Sequence, residues 1–277
     1  MTDGPRGAAR WLAIAATVAM VAAIAFPLYW TIISSLVPDH QLAEPARLIP
    51  DDLTTEHYRG LFSDRDFWTP IRNSLVVAGA TTALCVTLGA LCAYALARLQ
   101  FRGKTPILAF ILAVSMFPQI TIVSPLYAVL RGLGLIDTYP GLILPYVTFA
   151  MPLTVWLLVG FFQALPRELE EAAFVDGASR LGTVIRIVLP LSAPGLATTA
   201  IITFIYCWNE FLFALSFTVG PDRQTVPVAI ALFRGQYQVP WGQILAATVV
   251  ATGPVALLVL VFQRGIIRGL TAGAVKG

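Results

Sequence analysis

The 277 residues are 57% hydrophobic and only 12% charged, with a net charge of +3 and a mean hydropathy of +0.78. A water-soluble domain of this length carries roughly 25% charged residues, so lipid is the expected solvent. The small positive balance, with basic residues scattered singly between apolar runs, excludes a nucleic-acid-binding surface.

A membrane helix needs about 20 mostly apolar residues. Six such spans are predicted: Trp11–Ile33, Ser74–Leu96, Pro106–Leu130, Leu142–Gln163, Leu196–Val219 and Gln243–Phe262. The first follows Arg6 and Arg10, but it exceeds the roughly 7–15 apolar residues of a signal peptide, and it is read as an uncleaved anchor. Pro118, Pro125 and Pro152 fall inside spans, where neighbouring helices can satisfy the freed backbone groups. Cys85, Cys92 and Cys207 lie in apolar runs with no CxxC pair and read as small packing residues. His40 and His57 share one polar loop, and two histidines do not make a metal site.

Orientation follows from Lys and Arg near the span ends. Arg6 and Arg10, then Arg98, Arg102 and Lys104, then Arg167, Arg180 and Arg186, then Arg264, Arg268 and Lys276 mark one side as cytoplasmic. The other side holds Arg47, Arg59 and Arg65 among seven acids (Asp39, Glu44, Asp51, Asp52, Glu56, Asp64 and Asp66), then Arg131, Arg223 and Arg234. Both termini are therefore expected in the cytoplasm of an all-α membrane protein. One membrane domain, 1–277, is expected, with a cytoplasmic loop 164–195 and outer loops 37–70, 131–141 and 220–241. The long outer loop reads as a solvated acidic face, with Tyr58, Phe62 and Phe67 leaning on the membrane or a partner.

The cytoplasmic loop carries most of the pattern. Pro166 suits the first turn of a helix, and Glu168, Glu170 and Glu171 lie near its positive dipole end. Gly177 is expected to end it. A second amphipathic piece, Ser179 to Leu189, places Leu181, Val184, Ile185 and Val188 on one side. Two short surface helices joined by a glycine elbow can dock in a partner's groove or lie on lipid. The acids disfavour the lipid role, because the cytoplasmic leaflet is itself negative.

Glu171, Ala172, Ala173, Gly177, Ile187, Leu189 and Pro190 resemble, without departure, the EAA loop of the membrane subunits of bacterial ABC importers. Asn73-Ser74-Leu75, the run Ala93 to Arg98, Phe101-Arg102-Gly103, Leu133-Gly134-Leu135, Asp176 to Ser179, Trp208 to Phe211 and Thr271 to Gly277 extend the likeness over almost the whole chain. It is similar to the second permease of maltose- and trehalose-type sugar importers. The resemblance implies a type I ABC importer permease fold. It implies a second permease subunit, a cytoplasmic ATPase dimer that carries ATP and Mg, and an extracytoplasmic sugar-binding protein. It makes Glu171, Ala172, Ala173, Phe174, Asp176 and Gly177 the ATPase-coupling residues and the tail Gly269 to Gly277 a further ATPase contact. It also implies a contact of the binding protein with the loop holding Gln236, Tyr237 and Gln238, for which a plain re-entry loop is the alternative.

This chain is not expected to be an enzyme or to hold a cofactor. Gly103-Lys104-Thr105 imitates the end of a Walker A loop, but Arg98 stands where its first Gly belongs. Glu210 is the one acid placed inside a span, and such groups mark a pathway or a gate by default. With Asn209 and Trp208 it is a candidate pathway lining; a structural hydrogen bond to a neighbouring helix is the alternative. A self-contained carrier would show coupling charges within spans and an inverted repeat, and neither is evident.

Overall fold

Lipid offers no hydrogen bonds to the backbone, so a spanning chain must satisfy itself, helix by helix. The computed structural model describes residues 4–42, 45, 47–233 and 239–274, with side chains between 9 and 263, and among them every regular element is helical. In chain order these are α1 (Gly4–Ser34), α2 (Asp39–Leu42), α3 (Glu56–Ser63), α4 (Trp68–Arg98), α5 (Lys104–Ser115), α6 (Gln119–Gly132) and α7 (Tyr139–Ala164). Then come α8 (Glu168–Val175), α9 (Arg180–Thr183), a π-turn (Val184–Val188), α10 (Leu189–Leu191), α11 (Ala193–Trp208), α12 (Leu212–Phe217), a 3-10 turn (Pro221–Arg223), α13 (Val226–Ala231) and α14 (Trp241–Ala274). The expectations for Glu44, for Arg234 and Gln236 to Gln238, for Val275 to Gly277, and for the side chains of Arg6, Arg264 and Arg268 lie outside the described residues.

The chain divides into two units, Met1–Phe67 with Leu232–Gly253, and Trp68–Ala231 with Pro254–Gly277. In the first, α1 is apolar and exposed along almost its whole length, a surface suited to lipid rather than water. The long loop after it folds back on its own unit. Tyr58 Oη meets Ser35 Oγ at 2.7 Å, and His57 Nε2 lies 2.9 Å from the Val37 carbonyl. Phe67 is fully buried, edge-on to Phe62 and Phe233. Tyr58 and Phe67 therefore pack inside the unit, where the sequence reading leaned them outward. Gly242 is required here: a Cβ would fall 2.2 Å from the His57 ring.

In the second unit α4 and α7 pack side by side, with α11 against both and α5 against α7. Tyr139, at the start of α7, bonds Asn73 near the start of α4, and Leu165, just past the end of α7, bonds Arg98 at the end of α4. The two helices are therefore parallel. Parallel neighbours require a crossing between them, so α5 and α6 make one span although they meet at 88°. The predicted third span, Pro106–Leu130, is thus two helices and not one continuous rod. Pro118, extended at ψ 117°, has no N–H to continue the ladder and disfavours helix in the residue before it. The fifth span is also interrupted. Its predicted range is split into α11 and α12 by Asn209, Glu210 and Phe211, and α11 meets the Arg180–Leu191 stretch before it at 79°.

At the Arg98 end the core is built from Ala90, Ala93, Tyr94, Leu96 and Ala97 of α4 against Val155, Leu158, Val159 and Phe162 of α7, closed by Val184 and Val188. The alanines let the α7 backbone come close, and Phe162, fully buried, fills the space this leaves. Phe162→Ala removes that filling at a cost of about 3–5 kcal/mol. The expected result is a lower melting midpoint of the purified protein in detergent, followed by loss of monodisperse protein on heating.

Candidate functional site

The loop between α7 and α11 begins with α8, which starts at Glu168 with Arg167 as its N-cap, so that Pro166 precedes the first turn instead of lying in it, and which stops before Gly177 as expected. The stop is a Schellman motif. The Gly177 N–H bonds the Phe174 carbonyl at 3.1 Å and the Ala178 N–H bonds the Ala173 carbonyl at 2.9 Å, with Gly177 left-handed at φ +82°. A Cβ at Gly177 would meet nothing within 4 Å, so glycine is needed for backbone conformation and not for room. Ser179 then caps the next helix, its hydroxyl accepting the Gly182 N–H at 3.1 Å.

The face of α8 turned to the protein carries an acid. Glu170 and Ala173 are its buried residues. Tyr94 Oη donates to Glu170 Oε2 at 2.9 Å. Arg98 Nε pairs with Glu170 Oε1 at 2.7 Å, with side chains 6% and 9% exposed, as a close ion contact rather than an aligned hydrogen bond. Arg98 Nη2 donates to the Leu165 carbonyl at 2.8 Å. One arginine thus ties the end of α4 to the end of α7 and to the middle of α8. The opposite face is open. Glu171, Ala172, Phe174, Asp176 and Gly177 are exposed, Leu169 is 42% exposed and Val175 88%. Of the six predicted coupling residues, five lie on the open side, and Ala173 packs inward.

The second amphipathic piece is turned differently from the expectation. Val184 and Val188 are buried, but Leu181 and Ile185 are more than half exposed. The π-turn at Val184–Val188 adds a residue to the local turn, and the apolar side divides between core and surface.

Asn209, Glu210 and Trp208 sit at the break between α11 and α12. Glu210 is buried, and its carboxylate accepts the N–H groups of Phe213 at 2.8 Å and Ala214 at 3.1 Å, capping α12. Trp208 is buried and stacks on Phe204 with ring centroids 5.7 Å apart. Asn209 is exposed, its amide donating back to the Ile205 carbonyl. Gly103, of the imitation phosphate loop, is a left-handed residue in the turn between α4 and α5.

Residues 85–272 match the family model of binding-protein-dependent transport system inner membrane components. The chain belongs to that family. The permease is 44% identical to the trehalose transport system permease protein SugB of Mycobacterium tuberculosis, over 99% of this chain and 100% of that one. It is 43% identical to the trehalose/maltose transport system permease protein MalG of Thermococcus litoralis, over 97% of each chain. Its fold matches a crystal structure of a bacterial ABC transporter involved in the import of the acidic polysaccharide alginate, with a TM-score of 0.80 at 20% identity over 95% of this chain and 99% of that one. The fold is that of a type I ABC importer permease, and the permease is a multi-pass protein of the cell membrane.

Sequence reasoning missed the anchor. It counted Glu170 with Glu168 and Glu171 as a charge at the helix start, and Arg98 as a marker of sidedness. A signal was present: Tyr94 and Arg98 stand four apart on one helix face, and Glu170 stands three before the small Ala173. A buried pair that loses one partner strands the other charge, at about 3–5 kcal/mol. Glu170→Leu should therefore lower the permease's melting midpoint sharply. The double variant Arg98→Met with Glu170→Leu should recover most of that loss, measured in the same detergent-solubilised assay.

Proposed function

We propose that this permease is one of two membrane subunits of an ATP-driven sugar importer, forming half of the translocation path and receiving force through α8. One observation carries the reading: α8 is fixed on its inner side by Glu170 and Ala173, while Val175 is 88% exposed opposite them and Leu169 and Phe174, each 42% exposed, flank it. A short thin helix with apolar residues outward suits a protein groove. The groove belongs to the cytoplasmic ATPase dimer, which carries ATP and Mg; this chain has no Walker A loop and catalyses nothing itself. Arg102, Lys104, Arg167, Arg180 and Arg186 flank this end of the spans, which makes it the cytoplasmic side and puts both termini there. The whole chain acts as one membrane domain.

The substrate is a disaccharide, trehalose first, supported by relatives named for trehalose and for trehalose/maltose that align over nearly their full length. An extracytoplasmic binding protein delivers it to the outer loops, including 220–241, and a second permease supplies the other half of the path. The α11–α12 break faces that path. Asn209 is its exposed member, and Glu210 and Trp208 hold the break in shape.

The test is reconstitution of the permease with its second permease, ATPase and binding protein in vesicles, with labelled trehalose outside. ATP-dependent accumulation is expected; uptake without ATPase overturns the reading. Val175→Asp puts a charge in the docking face and should weaken ATPase retention and uptake about tenfold, equivalent to 1.4 kcal/mol. Gly177→Asn, which tolerates a left-handed backbone, should keep more uptake than Gly177→Val, for which that region is strained. Glu210→Gln, which keeps one cap acceptor of two, should lower uptake while leaving the assembled complex intact on size exclusion.

A further inference from the structure

The inner anchor of α8 has a counterpart at the other end of α4. Asn73 is fully buried, and all its side-chain groups are engaged. Its amide donates to the carbonyls of Asp222 and Gln224, both at 2.9 Å, and its oxygen accepts from Tyr139 Oη at 2.7 Å. Next to it, Ser74 Oγ accepts the Val226 N–H at 2.8 Å. The Arg223 guanidinium lies over the Tyr139 ring, 4.7 Å from its centre. Two adjacent residues of α4 thus hold three successive points of the loop 220–226, and Tyr139 adds the start of α7.

We propose that α4 is a transmission rod clamped at both ends, so that the coupling helix α8 and the loop 220–226 move as one body. The near clamp is Tyr94 and Arg98 on Glu170; the far clamp is Asn73 and Ser74 on residues 222 to 226. The helix is unbroken over its 31 residues, so Asn73 and Arg98 stand about 38 Å apart along it at 1.5 Å per residue, and it packs along α7. A packed helix does not compress, and buried polar clamps resist sliding, because moving either end strands desolvated donors and acceptors. The loop at the far end is in the segment to which the proposed function assigns the binding protein, and the inference rests on that reading. A loaded binding protein pressing on 220–226 and an ATPase pulling on α8 therefore act on the same rigid body. Each site biases the other without a contact between them.

Two measurements on the assembled complex test the rod. In the first, spin labels are placed at Arg167→Cys and Asp222→Cys, both exposed, in a background with Cys85, Cys92 and Cys207 replaced by alanine. The label distance should shift by no more than about 2 Å between nucleotide-free and ATP-bound complex, and Asn73→Ala should broaden it. A shift of about 5 Å or more, the size of one helical turn, overturns the proposal. In the second, Asn73→Ala should lower stimulation of ATP hydrolysis by the loaded binding protein at least about five-fold, with basal hydrolysis unchanged; wild-type stimulation overturns it. Should Asn73→Ala fail to assemble, Ser74→Ala, which removes a single acceptor from the Val226 N–H, is read by the same criteria. If no sugar-binding protein stimulates the wild-type complex, the functional reading fails, and the label distance still decides the rod.

Discussion

A desolvated guanidinium next to lipid is tolerated only if a negative charge and oriented acceptors come with it. Arg98 meets that demand with Glu170, seventy-two residues later in the chain, and with the Leu165 carbonyl. Everything distinctive about the cytoplasmic face follows from this arrangement. It sets which side of α8 is inward, it holds the ends of α4 and α7 together, and it leaves Val175 almost wholly exposed, with Leu169 and Phe174 partly exposed on either flank. The same contact that stabilises the loop thereby decides which side of α8 stays exposed.

The second organising constraint is that breaks in membrane helices need local compensation. At Pro118 the lost hydrogen bond is accepted and the span turns through 88°. At Asn209–Phe211 the free N–H groups of α12 are taken up by a carboxylate, Glu210. An acid in a span is costly by itself, yet here two backbone donors converge on it, which gives the charge a structural use. The exposed neighbour, Asn209, stands beside this cap, its amide donating to the Ile205 carbonyl.

The two breaks and the two clamps divide the second unit into a stiff part and a jointed part. The stiff part is α4 with α7, parallel and tied at both ends. The jointed part is α5–α6, bent at Pro118, and α11–α12, interrupted at Asn209–Phe211. Alternating access in a transporter is largely rocking of rigid bodies about a site, and a chain with both kinds of span provides a body and its joints.

Much of this was legible in the chain before folding. The number of apolar runs and the sidedness of basic residues are local properties, set by bilayer thickness and by the charge of the cytoplasmic side. The α8 stop was legible too, because glycine enters the left-handed cap more readily than residues with a bulky side chain, and the spaced EAA residues marked the loop's membership of its family. Other features were decided by tertiary structure alone. Whether Glu170 or Glu171 faces inward depends on the position of Arg98, a remote residue. Whether Leu181 and Ile185 follow Val184 and Val188 into the core depends on a π-turn that propensity does not announce. That Glu210 caps a helix, and that Asn73 binds residues about 150 positions away, are long-range pairings between polar groups. Periodicity reports which face is apolar; it carries no information about which distant partner a buried polar group will find.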